Sequence, residues 1–175
     1  MNITGLNISY LVMVCMVVIF LGVLLLALTS AIRIVPEYAR MAIFRLGRFV
    51  RVVGPGLILL LPFVDRGIQV DLREQKETIN TEVSTQDNAR VNVQMSLGYR
   101  IVEPEKSILN VPDLTASVRE AARNRLKSII GALTYGDVIH DRARIESDLK
   151  SHLAEGMNLW GCEVTSVEIL EVQRI

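Results

Sequence analysis

Histidine and cysteine, the side chains most often found in metal sites and nucleophilic active sites, occur only four times in this sequence. His140 and His152 are twelve residues apart, which places them about 120° apart around a continuous helix, so they do not converge on one ion. Cys15 lies within a long apolar run and Cys162 near the end of the sequence. This spacing predicts neither a disulfide nor a metal site, and no cofactor is expected.

The motifs that commonly mark enzymes are missing from the sequence. There is no G-x-S-x-G elbow, no Walker lysine loop and no G-x-G-x-x-G. Gly54-Pro55-Gly56 is a poor phosphate loop, because proline lacks an N–H donor and no basic residue or helix start follows. Asp148 and His152, four residues apart, are typical of a pair on a solvated helix face. We therefore expect no catalytic residues and no enzymatic activity.

The charge balance argues against nucleic acid as a partner. The sequence has 19 Lys and Arg residues and 19 Asp and Glu residues, so its formal net charge is zero. Proteins that bind nucleic acids neutralise phosphates with a basic patch or stripe. A sequence without an excess of Lys and Arg gives no reason to expect such a patch, so we expect no nucleic acid partner.

The first charged side chain of the sequence is Arg33, which follows a long apolar run. Nineteen residues without a charge extend from Tyr10 to Leu28, and as a helix they would reach about 28 Å, close to the thickness of a bilayer's hydrocarbon. A buried core helix would show a polar face, and a signal peptide would have a basic start and a shorter core. The sequence therefore predicts a short tail, residues 1–9, and a retained transmembrane helix, residues 10–32. Representative residues of this predicted helix are Tyr10, Leu11, Ile19, Phe20 and Leu28.

The basic residues that follow the apolar run predict its orientation. Arg33, Arg40, Arg45 and Arg48 lie after the run, and no Lys or Arg precedes it. The positive-inside rule places the body in the cytoplasm and the N-terminus outside, as in a single-pass protein of the plasma or inner membrane. We expect these four arginines to contact lipid headgroups.

Residues 34–72 are rich in short apolar runs that turn signals separate. Gly54-Pro55-Gly56 precedes Leu57–Val64, a run of eight residues without a polar group. Eight residues are too few to cross a bilayer. The run is either a buried strand with Pro62 at its end or an apolar loop that enters the near leaflet, and the residues alone favour the buried strand.

The remainder of the sequence predicts a sheet covered by two helices. Val91–Ile101 alternates apolar and polar residues and is the clearest strand, and Glu77–Val83 is its hairpin partner. Asp113 begins one amphipathic helix and Asp141 another, before a final strand that starts near Val164. We predict an α+β fold in which both helices cover one face of an antiparallel sheet.

Five motifs in this order resemble the stomatin, prohibitin and flotillin superfamily, whose shared module is the SPFH domain. The resemblance is greatest to the stomatin or slipin branch and extends from Arg33 to the end of the sequence. The matching residues are Pro36-Glu37-Tyr38, Ile43-Phe44-Arg45-Leu46-Gly47-Arg48, Gly54-Pro55-Gly56-Leu57 with Leu61-Pro62-Phe63-Val64-Asp65-Arg66, Val83-Ser84-Thr85-Gln86-Asp87-Asn88 and Tyr99-Arg100-Ile101.

The resemblance implies two subdomains, residues 33–75 and 76–175, of which the first is membrane-proximal. It also implies leaflet contact by the apolar stretch of the first subdomain. With the resemblance, leaflet contact by Leu57–Val64 is favoured as much as the buried strand. The candidate contact residues are Leu57, Leu59, Leu60, Leu61, Pro62 and Phe63. Family members usually continue into a long helix that forms a coiled coil, whereas this sequence stops at Ile175. We therefore expect either a truncated chain or assembly through the faces of the SPFH domain alone.

The family resemblance implies a membrane scaffold. Such proteins form rings or cages that organise lipid microdomains and partner membrane proteins, so we expect membrane lipids and further copies of this chain as partners. Arg119, Arg123 and Lys127, on the outer face of the first amphipathic helix, are the candidate oligomer face. The alternative is a regulatory subunit of a membrane protease or channel, with that protease, channel or an NfeD-like protein as partner.

Overall fold

The computed structural model describes residues 8–175, and for residues 8, 9, 24, 27, 28 and 30 it describes the backbone only. The chain divides into two compact units. The first comprises the described residues up to Glu37 together with Met41–Gln69, and the second comprises Tyr38–Arg40 and Val70–Ile175. The subdomain boundary between residues 75 and 76 stays a prediction.

The chain begins with helix α1, Ile8–Ala31, whose 24 residues include no charge. Apolar side chains surround this helix on all sides, and those from Tyr10 to Leu26 that are described are exposed. Over the part of the chain that the structure describes, no helix has the length and sustained hydropathy that a bilayer crossing requires. The transmembrane role of residues 10–32 is therefore not confirmed and stays a prediction. Of the predicted tail, residues 1–7 lie outside the described residues, as does the side chain of Leu28.

Five strands follow α1. They are β1 Ile32–Val35, β2 Ala39–Arg45, β3 Arg48–Val53, β4 Gly56–Leu59 and β5 Asp65–Asp71. Strands β1 and β4 form an antiparallel pair, and a separate sheet has the order β3-β2-β5. The β2–β3 hairpin turns at Leu46 and Gly47, whose φ angles of 50° and 83° lie in the left-handed region that tight hairpin turns require.

The second unit is built on an antiparallel sheet with the order β6-β7-β8. These strands are β6 Gln75–Ser84, β7 Arg90–Ile101 and β8 Cys162–Arg174. The odd-numbered residues of β7 from 91 to 101 are all buried, which is the predicted alternation. They pack against the apolar residues of two long helices, so one face of the sheet carries the core.

Four helices accompany this sheet. They are α2 Pro104–Leu109, α3 Leu114–Gly131, α4 Tyr135–His140 and α5 Arg142–Asn158. The Asp113 side chain caps α3 by accepting from the N–H of Ala116 at 3.0 Å, as the sequence predicted. The prediction of an α+β fold with antiparallel strands and amphipathic helices is confirmed. It missed α2 and α4, and α4 begins at Tyr135 because Thr134 and Asp137 form a capping box.

Candidate membrane-contact surface

The β1–β4 ribbon carries an apolar face that nothing covers in the described part of the chain. Ile32 pairs with Leu59 and Ile34 with Leu57, and alternation along each strand places these four side chains on the same face. Their exposed fractions are 50% for Ile32, 76% for Ile34, 71% for Leu57 and 64% for Leu59. Monomeric soluble proteins rarely expose such contiguous apolar patches, so this apolar ribbon face indicates contact with an apolar phase or a partner.

The turn between β4 and β5 presents further apolar side chains. Phe63 is fully exposed and has a φ of 67°, in the left-handed region that bulky residues rarely adopt. Leu46 has a φ of 50°, is also exposed, and donates its N–H to the carbonyl O of Val64 at 3.0 Å. Leu46, Leu61 and Phe63 are together called the turn patch. Strained backbone that displays apolar side chains to solvent is a feature found at functional sites.

An ion pair holds this turn in place. Arg45 donates from Nε to Asp65 Oδ1 at 2.7 Å and from Nη2 to Oδ2 at 3.0 Å, and the N–H of Leu61 donates to the same carboxylate at 3.2 Å. The hydrogen bond from Arg45 is the main cause that lowers the pKa of Asp65. Any stability from this lowered pKa is present above the unfolded-state pKa and is lost as the pH falls through the folded-state pKa. Arg45, predicted to contact headgroups, therefore has a structural partner within the chain.

The structure separates the two alternatives for residues 57–64. Leu57, Leu59, Leu61 and Phe63 are exposed, so the run is not the buried strand that the residues alone favoured. The physical reason is that β4 is short and, among the described residues, pairs with β1 alone. Leu60 is the exception, because it is 8% exposed and its N–H donates to the carbonyl O of Ala31, which ties it to the end of α1. Leu60 therefore does not belong to the exposed candidate contact residues, and Pro62 is half-buried.

The predicted headgroup arginines do not form one cluster. Arg33 is exposed and lies between Ile32 and Ile34 in β1, so it is on the opposite side of the strand from the apolar ribbon face. Arg48 is exposed at the start of β3. Arg40 is half-buried, donates from Nη1 to the carbonyl O of Ala39 at 3.0 Å, and belongs to the second unit. Arg66, which is not among the predicted headgroup contacts, is also exposed, at the start of β5. Headgroup contact by these arginines stays a prediction.

Sequence reasoning also missed Ile32, Ile34 and Leu46 as parts of the apolar surface. The spacing Ile32-Arg33-Ile34 was the available signal, because alternation of apolar and basic residues is typical of a strand with one apolar face. The predicted boundary between the transmembrane helix and the first subdomain, at residues 32 and 33, divides this pattern. No signal in the sequence marks Leu46, whose exposure follows from its left-handed position in the hairpin turn.

The candidate oligomer face lies on α3 in the second unit. Arg119 donates from Nη2 to Glu77 Oε2 at 2.9 Å, so its charge already has a partner within the chain. Arg123 and Lys127 are exposed, and neither belongs to an ion pair found among the described residues. A role of this face in assembly stays a prediction.

The described side chains assemble no metal site. No group of three His, Cys, Asp or Glu side chains within residues 8–175 is placed to hold an ion. His152 approaches the main-chain O of Asp148 through Nδ1 at 2.7 Å, rather than the carboxylate that the spacing predicted. A contact between a side chain and the main-chain O four residues earlier is typical of a helix surface.

Comparison with known proteins matches residues 33–174 to the family described as SPFH domain / Band 7. A stomatin homologue of Pyrococcus horikoshii is 35% identical over 156 residues, which cover 89% of this chain and 59% of the homologue. Stomatin-1 of Caenorhabditis elegans is 33% identical over 144 residues, covering 81% of this chain and 44% of that protein. Stomatin-like protein 1 of Homo sapiens is 34% identical over 157 residues, which cover 86% of this chain and 39% of that protein. The chain thus spans between two fifths and three fifths of the length of these relatives.

Proposed function

Because this chain belongs to the SPFH domain / Band 7 family and resembles stomatins over most of its length, we propose that it is a membrane-anchored scaffold. It binds lipids, self-associates and organises microdomains and other membrane proteins. The proposed role is structural rather than catalytic, in keeping with the missing catalytic motifs. The observation that carries the proposal is the exposed apolar ribbon face, together with Phe63.

The first contact with the membrane is the anchor, residues 10–28. This part of the proposal rests on the sequence, whose nineteen uncharged residues match the bilayer thickness. Four arginines within 16 residues after Ile32 favour a cytoplasmic body and an outer N-terminus. The protein is then a single-pass protein of the plasma or inner membrane.

The second contact is the apolar ribbon face with the turn patch. Strand β1 begins directly after α1, which contains the predicted anchor, so the ribbon follows the anchor closely in the chain. Burial of a large apolar side chain contributes roughly 1.5–3 kcal/mol relative to leaving it in water. Insertion of Leu57, Leu59 and Phe63 into the near leaflet therefore offsets the cost of their exposure and of the strained turn.

The test is the depth of Phe63 in the membrane. In the full chain with Cys15→Ser, an environment-sensitive fluorophore is attached to Phe63→Cys, and lipids with quenchers at shallow positions are added to reconstituted vesicles. Cys162 is buried and stays unlabelled. We expect a blue-shifted emission and strong quenching, because the side chain enters the leaflet. The matched control is Leu159→Cys, a position that is 70% exposed in the second unit.

Equal quenching at positions 63 and 159 would contradict the leaflet contact. The mechanism is tested further by Leu57→Asp with Leu59→Asp, which places charges on the apolar ribbon face and should reduce quenching at position 63. Leu159→Asp adds one charge to another exposed apolar position and should leave the quenching unchanged.

A further inference from the structure

A cavity of about 520 Å³ lies in the first unit beside the membrane-contact surface. The residues that line it include Arg33, Met41, Leu60, Pro62, Phe63 and Arg66. Its volume falls in the range of about 300–1,000 Å³ that is typical of small-ligand sites. Phe63 and Ile34 line the cavity and also belong to the turn patch and the apolar ribbon face, so the cavity adjoins both.

The charges around the cavity are unbalanced. Asp65 is the one acidic residue among those that line it, and Arg45, which does not line it, neutralises Asp65 through two hydrogen bonds. The Asp65 side chain is only 3% exposed, so it offers little charge to a ligand. Arg33 and Arg66 belong to none of the ion pairs found among the described residues. Two guanidinium groups are thus left for an anion.

Met41 and Leu60 give part of the wall an apolar, closely packed surface. A Cβ atom on Gly67 would lie 2.6 Å from Met41 Sδ and 3.2 Å from Leu60 Cδ1, so glycine allows β5 to approach these side chains. Gln69 adds an amide to the lining. A ligand that fits has a compact anionic group for the arginines and an apolar portion for Met41 and Leu60.

We propose that this cavity binds the phosphate group of an anionic phospholipid. Arg33 and Arg66 donate to the phosphate oxygens, since guanidinium groups match phosphate geometry. The acyl chains pass over Met41 and Leu60 and leave towards the apolar ribbon face and the turn patch. This inference rests on the proposed function, because it requires the first unit to lie against the bilayer.

The test is native mass spectrometry of the full chain in a non-ionic detergent, with dihexanoyl phosphatidylglycerol, dihexanoyl phosphatidylcholine and inorganic phosphate as probes. We expect retention of phosphatidylglycerol in preference to the other two. The variant R33Q/R66Q should weaken its binding about tenfold, because charge-assisted hydrogen bonds to phosphate are lost. The matched control R51Q/R90Q removes the same charge from exposed positions of β3 and β7 outside the cavity, and should change binding less than about twofold.

A second variant tests the cavity without changing its charge. Gly67→Ala pushes the Met41 side chain into the cavity and should reduce phosphatidylglycerol binding while vesicle association persists. An equal loss in R33Q/R66Q and R51Q/R90Q would overturn the site in favour of diffuse surface charge. Equal retention of phosphatidylcholine would overturn the anionic preference, and equal binding of inorganic phosphate would make the ligand a soluble anion. The depth of the Phe63 probe in R33Q/R66Q reports on the proposed function separately.

Discussion

Two neighbouring side chains show how single residues define the candidate surface. Phe63 and Asp65 are two positions apart, yet the first is fully exposed and the second has a nearly buried carboxylate. Asp65 is held by two hydrogen bonds from Arg45 and one from the N–H of Leu61. Phe63, whose φ lies in the left-handed region, is then directed outward. An apolar side chain and a charged one have therefore exchanged the environments that hydrophobicity alone predicts.

Cys162 provides a prediction at the scale of one residue. Burial raises the pKa of its thiol to about 11. At pH 8 the thiolate fraction in the folded chain is then about a hundredfold smaller than for a thiol whose pKa is near 9. In the Cys15→Ser chain we expect alkylation by iodoacetamide to be slow until the protein unfolds. Mass spectrometry of the alkylated chain, with and without urea, measures this.

The pH dependence of stability at Cys162 has a defined sign. Because folding favours the neutral thiol, its contribution is full below the unfolded-state pKa near 9 and is lost as the pH rises towards 11. Cys162→Ala should remove this part of the alkaline loss of stability. Equal alkylation rates for the folded and the urea-unfolded chain at pH 8 would show that the thiol is accessible and ionised.

At the scale of elements, β8 shows how an irregular strand can still direct its apolar residues to the core face of the sheet. Val164, Val167 and Ile169 are buried although their spacing does not follow period two. The register against β7 shifts twice, at Thr165 and at Leu170, so β8 contains two bulges that return its apolar residues to the core face. Helix α5 supports the bulges from the edge: Lys150 donates to the carbonyl O of Thr165, and Glu146 accepts from the N–H of Ile169.

The junction between α5 and β8 yields a prediction for glycine. Gly161 has a φ of 69°, and its carbonyl O accepts from the N–H groups of Val102 and Glu103, each at 2.9 Å. An alanine Cβ there would contact the carbonyl O of Glu103 and lie 2.8 Å from its Cβ. We expect Gly161→Ala to lower the free energy of unfolding by about 2–4 kcal/mol, through strain and overpacking.

Urea unfolding followed by the fluorescence of Trp160, the only tryptophan in the sequence, measures this loss. The matched control is Gly156→Ala within α5, where an added Cβ meets nothing within 4 Å. That change should stabilise the chain by up to about 1 kcal/mol, because alanine favours helices over glycine. Similar effects of the two substitutions would show that the α5–β8 junction tolerates a side chain.

At the scale of the whole molecule, the proposed scaffold requires contacts between chains. The outer face of α3 is the candidate, although Arg119 is already paired with Glu77. Arg123 and Lys127 remain as the exposed cations of that face. Partners of such a face would carry acidic groups, because like charges across an interface are costly.

We predict that Arg123→Glu with Lys127→Glu reduces self-crosslinking in native membranes about tenfold, since like charges across the interface cost well over 1 kcal/mol. Arg119→Gln is the control and should have less effect, because Arg119 is engaged within its own chain. Mass spectrometry of the crosslinked material distinguishes the two functional hypotheses. Ladders of this chain support the scaffold, whereas one membrane protease or channel at a fixed ratio supports the regulatory subunit.

The sequence by itself determined the elements in which local signals agree. Alternation over Val91–Ile101 defined the central strand, and the Asp113 cap with its apolar stripe defined α3, because periodicity and capping act within one element. The motifs from Pro36 to Ile101 also identified the family.

Only the tertiary structure decided the environment of Leu57–Val64. A run of eight apolar residues is compatible with burial and with exposure, and the choice depends on what covers it. The pairing of β4 with β1 alone leaves Leu57 and Leu59 open. The ion pair of Arg45 with Asp65 and the cavity between Arg33 and Arg66 likewise join residues 20 or more positions apart. Such contacts leave no periodic trace in the sequence, because folding rather than local spacing brings their partners together.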